Sequence, residues 1–233
     1  SNRIFKSLYK RKLVWSIQLI SNIKYKKYWR KTSFKQKGVG EFFLNHIKER
    51  RPKNFLEVGI FHGVTSRNVC NLLNTIHGNN FKFTGVDIFS TDNNLTKGEF
   101  TPKTKFSNPL KNLYYKYLVR LDPYSIKSVK KLLINYTNNI NIIEGNSNTV
   151  LPEIITENFD YVFLDGGHKY ATVLKDLKIL STVVENNGVI LCDDYDLTYA
   201  PGVKKAIDEF ALLNNFTLKI LHSRFAEITK NST

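Results

Sequence analysis

Carboxylates at the ends of apolar runs carry most of the chemical information in this 233-residue chain. The stretch Phe159-Asp-Tyr-Val-Phe-Leu-Asp-Gly-Gly-His-Lys-Tyr ends such a run at Asp165, and Gly188-Val-Ile-Leu-Cys-Asp-Asp-Tyr ends another at Asp193 and Asp194. Strands that finish this way bring three carboxylates to one edge of a sheet, where their repulsion is costly unless a cation neutralises it. With oxygen ligands and neither a thiolate nor a second histidine, the set favours Mg²⁺, or Mn²⁺ or Ca²⁺ in its place, over zinc. The bland alternative is that these aspartates cap the helices that follow. A third motif, Phe55-Leu-Glu-Val-Gly-Ile-Phe-His-Gly-Val-Thr-Ser, sets Glu57 and Gly59 at a strand end and Gly63 at a helix start. Phe61 stands where a dinucleotide fingerprint needs its second glycine, so close passage of a pyrophosphate is disfavoured and a ligand without phosphates fits better. The next strand ends at Asp87, a position from which an acid accepts hydrogen bonds from ribose hydroxyls.

These residues need a frame, and the hydrophobic pattern supplies one. Strand-length apolar runs fall at Phe55–Gly59, Phe81–Asp87, Ile140–Glu144, Phe159–Asp165, Gly188–Asp193, Phe216–Leu221 and Phe225–Thr229. Helical segments are expected at about Thr65–Ile76, Asn148–Thr156, Ala171–Val184 and Val203–Leu213. The alternation predicts an α/β fold, a Rossmann-like, doubly wound, seven-stranded sheet with helices on both faces. Only His222 to Arg224 separate the last two strands, so they form a hairpin and the final strand runs antiparallel to its neighbour. A long insertion, about residues 89–139, interrupts the rhythm after Asp87. It is expected to carry a helix from Tyr124 to Tyr136 and to pack through Tyr114, Tyr115, Tyr117, Leu118 and Leu121, as a lid or substrate-recognition element.

With Glu57-x-Gly59-x-x-x-Gly63, Asp87 and Gly145-Asn146-Ser147 before a helix containing Pro152, the chain resembles the class I S-adenosylmethionine (SAM) dependent methyltransferases over about residues 40–229. The resemblance implies that Glu57, Gly59, Gly63, Thr65, Asp87, Gly145, Asn146 and Ser147 contact SAM, with Asp165 bordering the same crevice. The Asp165 and Asp193-Asp194 segments look like those of metal-dependent O-methyltransferases: catechol, caffeoyl-CoA and macrocin-type sugar enzymes, and a bacterial branch with Asp-Gly-Gly-His-x-Tyr. In the catechol group a lysine three residues after the first metal aspartate acts as base. Here that position is His168, which accepts a proton near neutral pH without desolvation, with Lys169 adjacent as the alternative. The implied activity is methyl transfer from SAM to a hydroxyl of a small molecule or sugar, with Asp165, Asp193 and Asp194 as metal ligands. His168 as a purely structural hydrogen-bonder is an equal alternative. His62 reads as a packing residue, His222 is ambiguous and Cys192 reads as core.

Charge separates the chain into two parts. Residues 1–53 hold 16 Lys/Arg against Glu41 and Glu49, a net of +14, leaving +1 of the total +15 for the other 180 residues. The division expected is a basic helical extension over residues 1–37 and a methyltransferase domain over 38–233. The extension suits anionic lipid headgroups or a phosphorylated substrate, or packs on the body or on a second subunit of a homo-oligomer. The apolar run Leu13–Ile20 is far shorter than the roughly 18 to 20 residues of a spanning helix. Two cysteines exclude a disulfide scaffold and favour a cytoplasmic setting, membrane-peripheral where the extension binds lipid. Competing classes are an RNA methyltransferase, disfavoured by the neutral body, a non-catalytic scaffold, and an NAD-dependent oxidoreductase, disfavoured by Phe61.

Overall fold

The computed structural model describes residue 34 and residues 38–89, 109–119, 122–154, 158–222 and 224–230. The basic helical extension expected over residues 1–37, apart from Phe34, and residues 90–108 and 120–121 of the insertion lie outside the described residues. The elements are helix α1 (Val39–Arg50), strand β1 (Asn54–Val58), α2 (Val64–His77), β2 (Lys82–Asp87), α3 (Pro109–Leu113), α4 (Ile126–Leu132), β3 (Ile140–Glu144), α5 (Ser147–Val150), β4 (Phe159–Leu164), α6 (Tyr170–Val183), β5 (Val184–Cys192), α7 (Pro201–Leu213), β6 (Phe216–Leu221) and β7 (Phe225–Lys230). The strands form one seven-stranded sheet in the order β3-β2-β1-β4-β5-β7-β6. All pairs are parallel except those made by β7, which runs antiparallel to both β5 and β6.

Why the central strands read as unbroken apolar runs is clear from their two covered faces. Along β4, Tyr161 and Phe163 point to a core shared with Phe43 and Ile47 of α1 and Val69 and Leu73 of α2. Val162 and Leu164 alternate to the other face, where Leu177 and Leu180 of α6 and Ile207 and Phe210 of α7 pack. Helix α1 buries Val39, Phe43 and Ile47 at four-residue spacing, with Glu41 in its first turn and Lys48 and Arg50 in its last, the arrangement that complements the helix dipole. Phe34, although within the expected extension, is fully buried and touches Phe43, Phe163 and Phe225 with ring centroids 5.0 to 5.9 Å apart.

Several boundaries differ from expectation. Strand β5 starts at Val184 rather than Gly188, because a register irregularity between Phe159 and Tyr161 lets four further residues join the strand. The helix expected over Asn148–Thr156 is one α-turn, Ser147–Val150, continued as a 3₁₀ turn through Ile154. The insertion helix is shorter than Tyr124–Tyr136 and ends in a 3₁₀ turn at Ile134–Tyr136. Tyr114, Tyr117 and Leu118 do not pack as expected; they sit on a π-helical turn, Tyr114–Val119, and are more than half exposed. The insertion packs instead through Tyr124, Val129 and Leu133, which are buried in the core shared with α1 and α2.

Candidate active site

The site forms where the strand order reverses, with β1 between β2 and β4, the place at which open α/β sheets bind ligands. Gly59 leaves β1 with φ +96°, and a Cβ there would lie 2.0 Å from the backbone oxygen of Asp165 at the end of β4. Only glycine lets the two strand ends come this close. Gly63 opens α2 at its N-cap position, and Gly145 follows β3. Asp87, at the end of β2, faces the turn after β1. Its Oδ2 accepts from the Ile60 and Phe61 N–H groups, 2.7 Å each, and its Oδ1 accepts from Phe89 N–H at 3.1 Å and the Tyr124 hydroxyl at 2.8 Å.

Other residues expected at the cofactor hold the scaffold. Glu57 is 1 % exposed and accepts a 2.5 Å hydrogen bond from Ser66 Oγ. Burial pushes its carboxyl up to about 8, against the opposing effect of Ser66. The Ser147 hydroxyl donates to buried Asp176 at 2.9 Å, and the Asn146 side chain caps α5 by accepting from Asn148 N–H at 3.0 Å. Thr65 is buried in the first turn of α2. His62 stacks on Phe61, centroids 3.7 Å apart, His222 lies against Phe42, and Cys192 is buried in β5.

At the ends of β4 and β5, one ligand atom from each of Asp165, Asp193 and Asp194 lies within 4.8 Å of the others. Arg224, in the β6–β7 turn, forks onto Asp193: its Nε donates to Oδ1 and its Nη2 to Oδ2 at 2.6 Å, while Nη2 also reaches Asp194 Oδ1 at 3.1 Å. The guanidinium lies over Phe34, 5.3 Å from the ring centroid, and the Arg224 backbone is anchored through its carbonyl, which accepts from Tyr195 N–H at 2.9 Å. Asp194, in the left-handed region at φ +63°, turns its other oxygen to His168 Nε2, 3.1 Å away. Lys169 occupies the N-cap position of α6. Burial, followed by the charges of Asp193 and Asp194, raises Asp165 well above the usual carboxylate range. Burial also raises Asp193, although the Arg224 hydrogen bonds act against it. The charge of Arg224 acts against the rise at both Asp165 and Asp193.

These residues suit a hard cation. Ligands on one ion at about 2.0 to 2.6 Å each can be no more than about 5 Å apart, which the cluster satisfies. The cavity lined by Asp165, Asp193, Asp194, Gly166 and Gly167 encloses about 10 Å³, about one water-sized sphere. Asp87, at the end of β2, suits a nucleoside, since it already accepts a hydroxyl, the donor a ribose presents.

The sequence reading missed Arg224 and Tyr124. Arg224 is placed by the non-local pairing of β7 with β5: Ala226 opposes Cys192, and two residues further on this register sets Arg224 against Asp194. Nothing in the pattern of the insertion places Tyr124 opposite Asp87.

Residues 56–195, more than half of the chain, match the family model described as a methyltransferase domain. The chain belongs to this methyltransferase family. A curated relative, the uncharacterized protein R132 of Acanthamoeba polyphaga mimivirus, is 27 % identical over 112 residues, 43 % of this chain. The match spans about half (51 %) of that relative's length. Among solved structures, the O-methyltransferase TomG from Streptomyces achromogenes, in complex with SAM, superposes with a TM-score of 0.57 at 13 % identity, covering 89 % of this chain and 88 % of TomG. CalS11, a TDP-rhamnose 3′-O-methyltransferase, gives 0.55 at 14 % identity, covering 82 % and 79 %. At these identities the likeness is one of fold, and it extends the methyltransferase architecture beyond the segment matched by the family model. No helix among the described residues is long and apolar enough to cross a membrane.

Proposed function

We propose that this methyltransferase uses SAM to methylate a hydroxyl of a small molecule or sugar, with a divalent cation, Mg²⁺ or a similar ion, held by Asp165, Asp193 and Asp194. The observation that carries the reading is the meeting of these carboxylates with His168 beside the turn after β1. The O-methyltransferase neighbours support it, and the sugar substrate of CalS11 supports the substrate class. SAM supplies a methyl group already activated by its sulfonium. A divalent ion would supply Lewis-acid polarisation of the acceptor oxygen.

The chain's own residues do the rest. A carboxylate only accepts, so His168 donates Nε2–H to Asp194, and its imidazole is the base for the hydroxyl proton. Asp194 holds the ring in place and faces the positive charge that proton uptake creates. Arg224 keeps Asp193 fixed and ionised. Asp87 orders the turn after β1, so the sulfur-bearing ligand and the hydroxyl oxygen meet in one geometry.

The test is turnover of nucleotide sugars and catechol-type acceptors with labelled SAM, before and after EDTA, and with the double variant Asp193→Asn/Asp194→Asn. We expect EDTA and the double variant each to cut turnover by about 100-fold or more, while S-adenosylhomocysteine (SAH) affinity changes less than about threefold. Turnover indifferent to EDTA would overturn the cation, and methyl transfer to RNA alone would overturn the substrate class.

A further inference from the structure

Tyr124 is set precisely by its own segment. Its N–H donates to Asp122 Oδ1 at 2.9 Å, Ser125 caps α4 immediately after it, and its ring is 4 % exposed between Phe61 and Phe89, with centroids 5.9 and 5.8 Å away. Its hydroxyl completes the hydrogen bonding of Asp87. A carboxylate offers about four acceptor sites, and here all are used: three by the backbone N–H groups of Ile60, Phe61 and Phe89, the fourth by Tyr124. The three backbone donors belong to the turn and the strand end and fix Asp87 in place. The fourth donor differs in kind. It is a hydroxyl, it comes from the insertion, and it sits on the acid that ends β2 beside the sheet's switch point.

We propose that the Tyr124 phenol is a placeholder for the cofactor's ribose: a bound nucleoside takes over its hydrogen bond to Asp87, so that Tyr124 sets cofactor affinity. This rests on SAM binding in the crevice with Asp87 as the ribose acceptor. The exchange is close to balanced because one O–H donor to a carboxylate replaces another, and its cost is what the free protein loses when Tyr124 lets go. Burial, then the charge of Asp87, holds the phenol protonated and therefore always a donor. Val129 of the following α4 reaches Gly63, where a Cβ would lie 3.2 Å from its Cγ1. Displacement of Tyr124 is thereby coupled to the segment that packs on the cofactor turn, and cofactor occupancy is felt by the insertion.

The test is calorimetric binding of SAH, and of its 2′,3′-dideoxy analogue, to the full chain and to Tyr124→Phe, which keeps the ring between Phe61 and Phe89. We expect the variant to bind SAH about five- to twentyfold more tightly, since the ribose no longer displaces a charge-assisted hydrogen bond, and to show no such gain for the dideoxy analogue. A Tyr124 that is only structural would leave both affinities where they were. Unchanged or weaker SAH binding by the variant, or an equal gain for both ligands, would overturn the proposal while leaving the cofactor reading intact. Absence of SAH binding by both proteins would overturn the cofactor reading and the proposal with it.

Discussion

Glu57 illustrates how a residue at a ligand-binding motif can act from beneath it. Its carboxyl lies inside the sheet, bonded to Ser66 at the start of α2, and retains its proton up to about 8 against an ordinary value of 4.5. In the unfolded chain the same group ionises near its ordinary value. Between about pH 4.5 and 8 the folded state therefore binds more protons than the unfolded state, and Glu57 makes stability fall as pH rises. Glu57→Gln, which keeps an acceptor for Ser66, is expected to remove this slope and to be the more stable protein at pH 8, by a few kcal/mol at most. Thermal melts of both proteins from about pH 5 to 8 check this; parallel curves would show that Glu57 is ionised in the folded state.

Strand ends, rather than loops, locate the chemistry, and the closest contact between two of them is Gly59 against Asp165. Gly59→Ala combines a positive φ with a collision against backbone, whereas Gly78→Ala meets a positive φ of 61° with nothing within 4 Å. The first is expected to cost about 3 kcal/mol or more, the second about 1. By circular dichroism, Gly59→Ala should melt about 10 °C lower and Gly78→Ala only a few degrees lower; equal losses would mean that β1 and β4 separate without penalty. The strands were readable because burial on two faces leaves runs of Val, Leu, Ile and Phe bounded by Gly and Asp, and the Asp165 and Asp193-Asp194 cluster followed directly from where those runs stop. The site's counter-charge was not readable in the same way. It depends on β7 inserting between β5 and β6, a non-local pairing that leaves no periodicity in the chain. The exposed Tyr114 and Tyr117 misled for a related reason: composition marks residues able to pack, and only topology decides which ones do.

Considered as a whole, the molecule joins a nearly neutral catalytic body to a basic N-terminal stretch. We propose that this stretch is the surface for anionic partners. Residues 1–33 carry ten Lys/Arg and no Asp or Glu, and each cation near an anionic bilayer contributes about 1 kcal/mol at moderate ionic strength. Phe34 belongs to the core and to the Arg224 support, so the informative truncation removes residues 1–33 and stops there. Flotation with phosphatidylserine-rich vesicles should lose the truncated protein while SAH affinity changes less than about twofold; equal flotation would assign the charge another role.

The antiparallel β7 has a consequence for how the protein is made. Strand β6 leaves the ribosome before its partner, because among the described residues it pairs in the sheet with β7 alone, and the outer edge of β5 likewise waits for β7. Arg224 emerges just ahead of that strand, so during translation Asp193 and Asp194 remain without their guanidinium until α7 and β6 have been synthesised. Sheet closure and charge compensation are thus one event, and a nascent chain stalled before residue 224 would carry an open β5 edge beside an acidic cluster without Arg224.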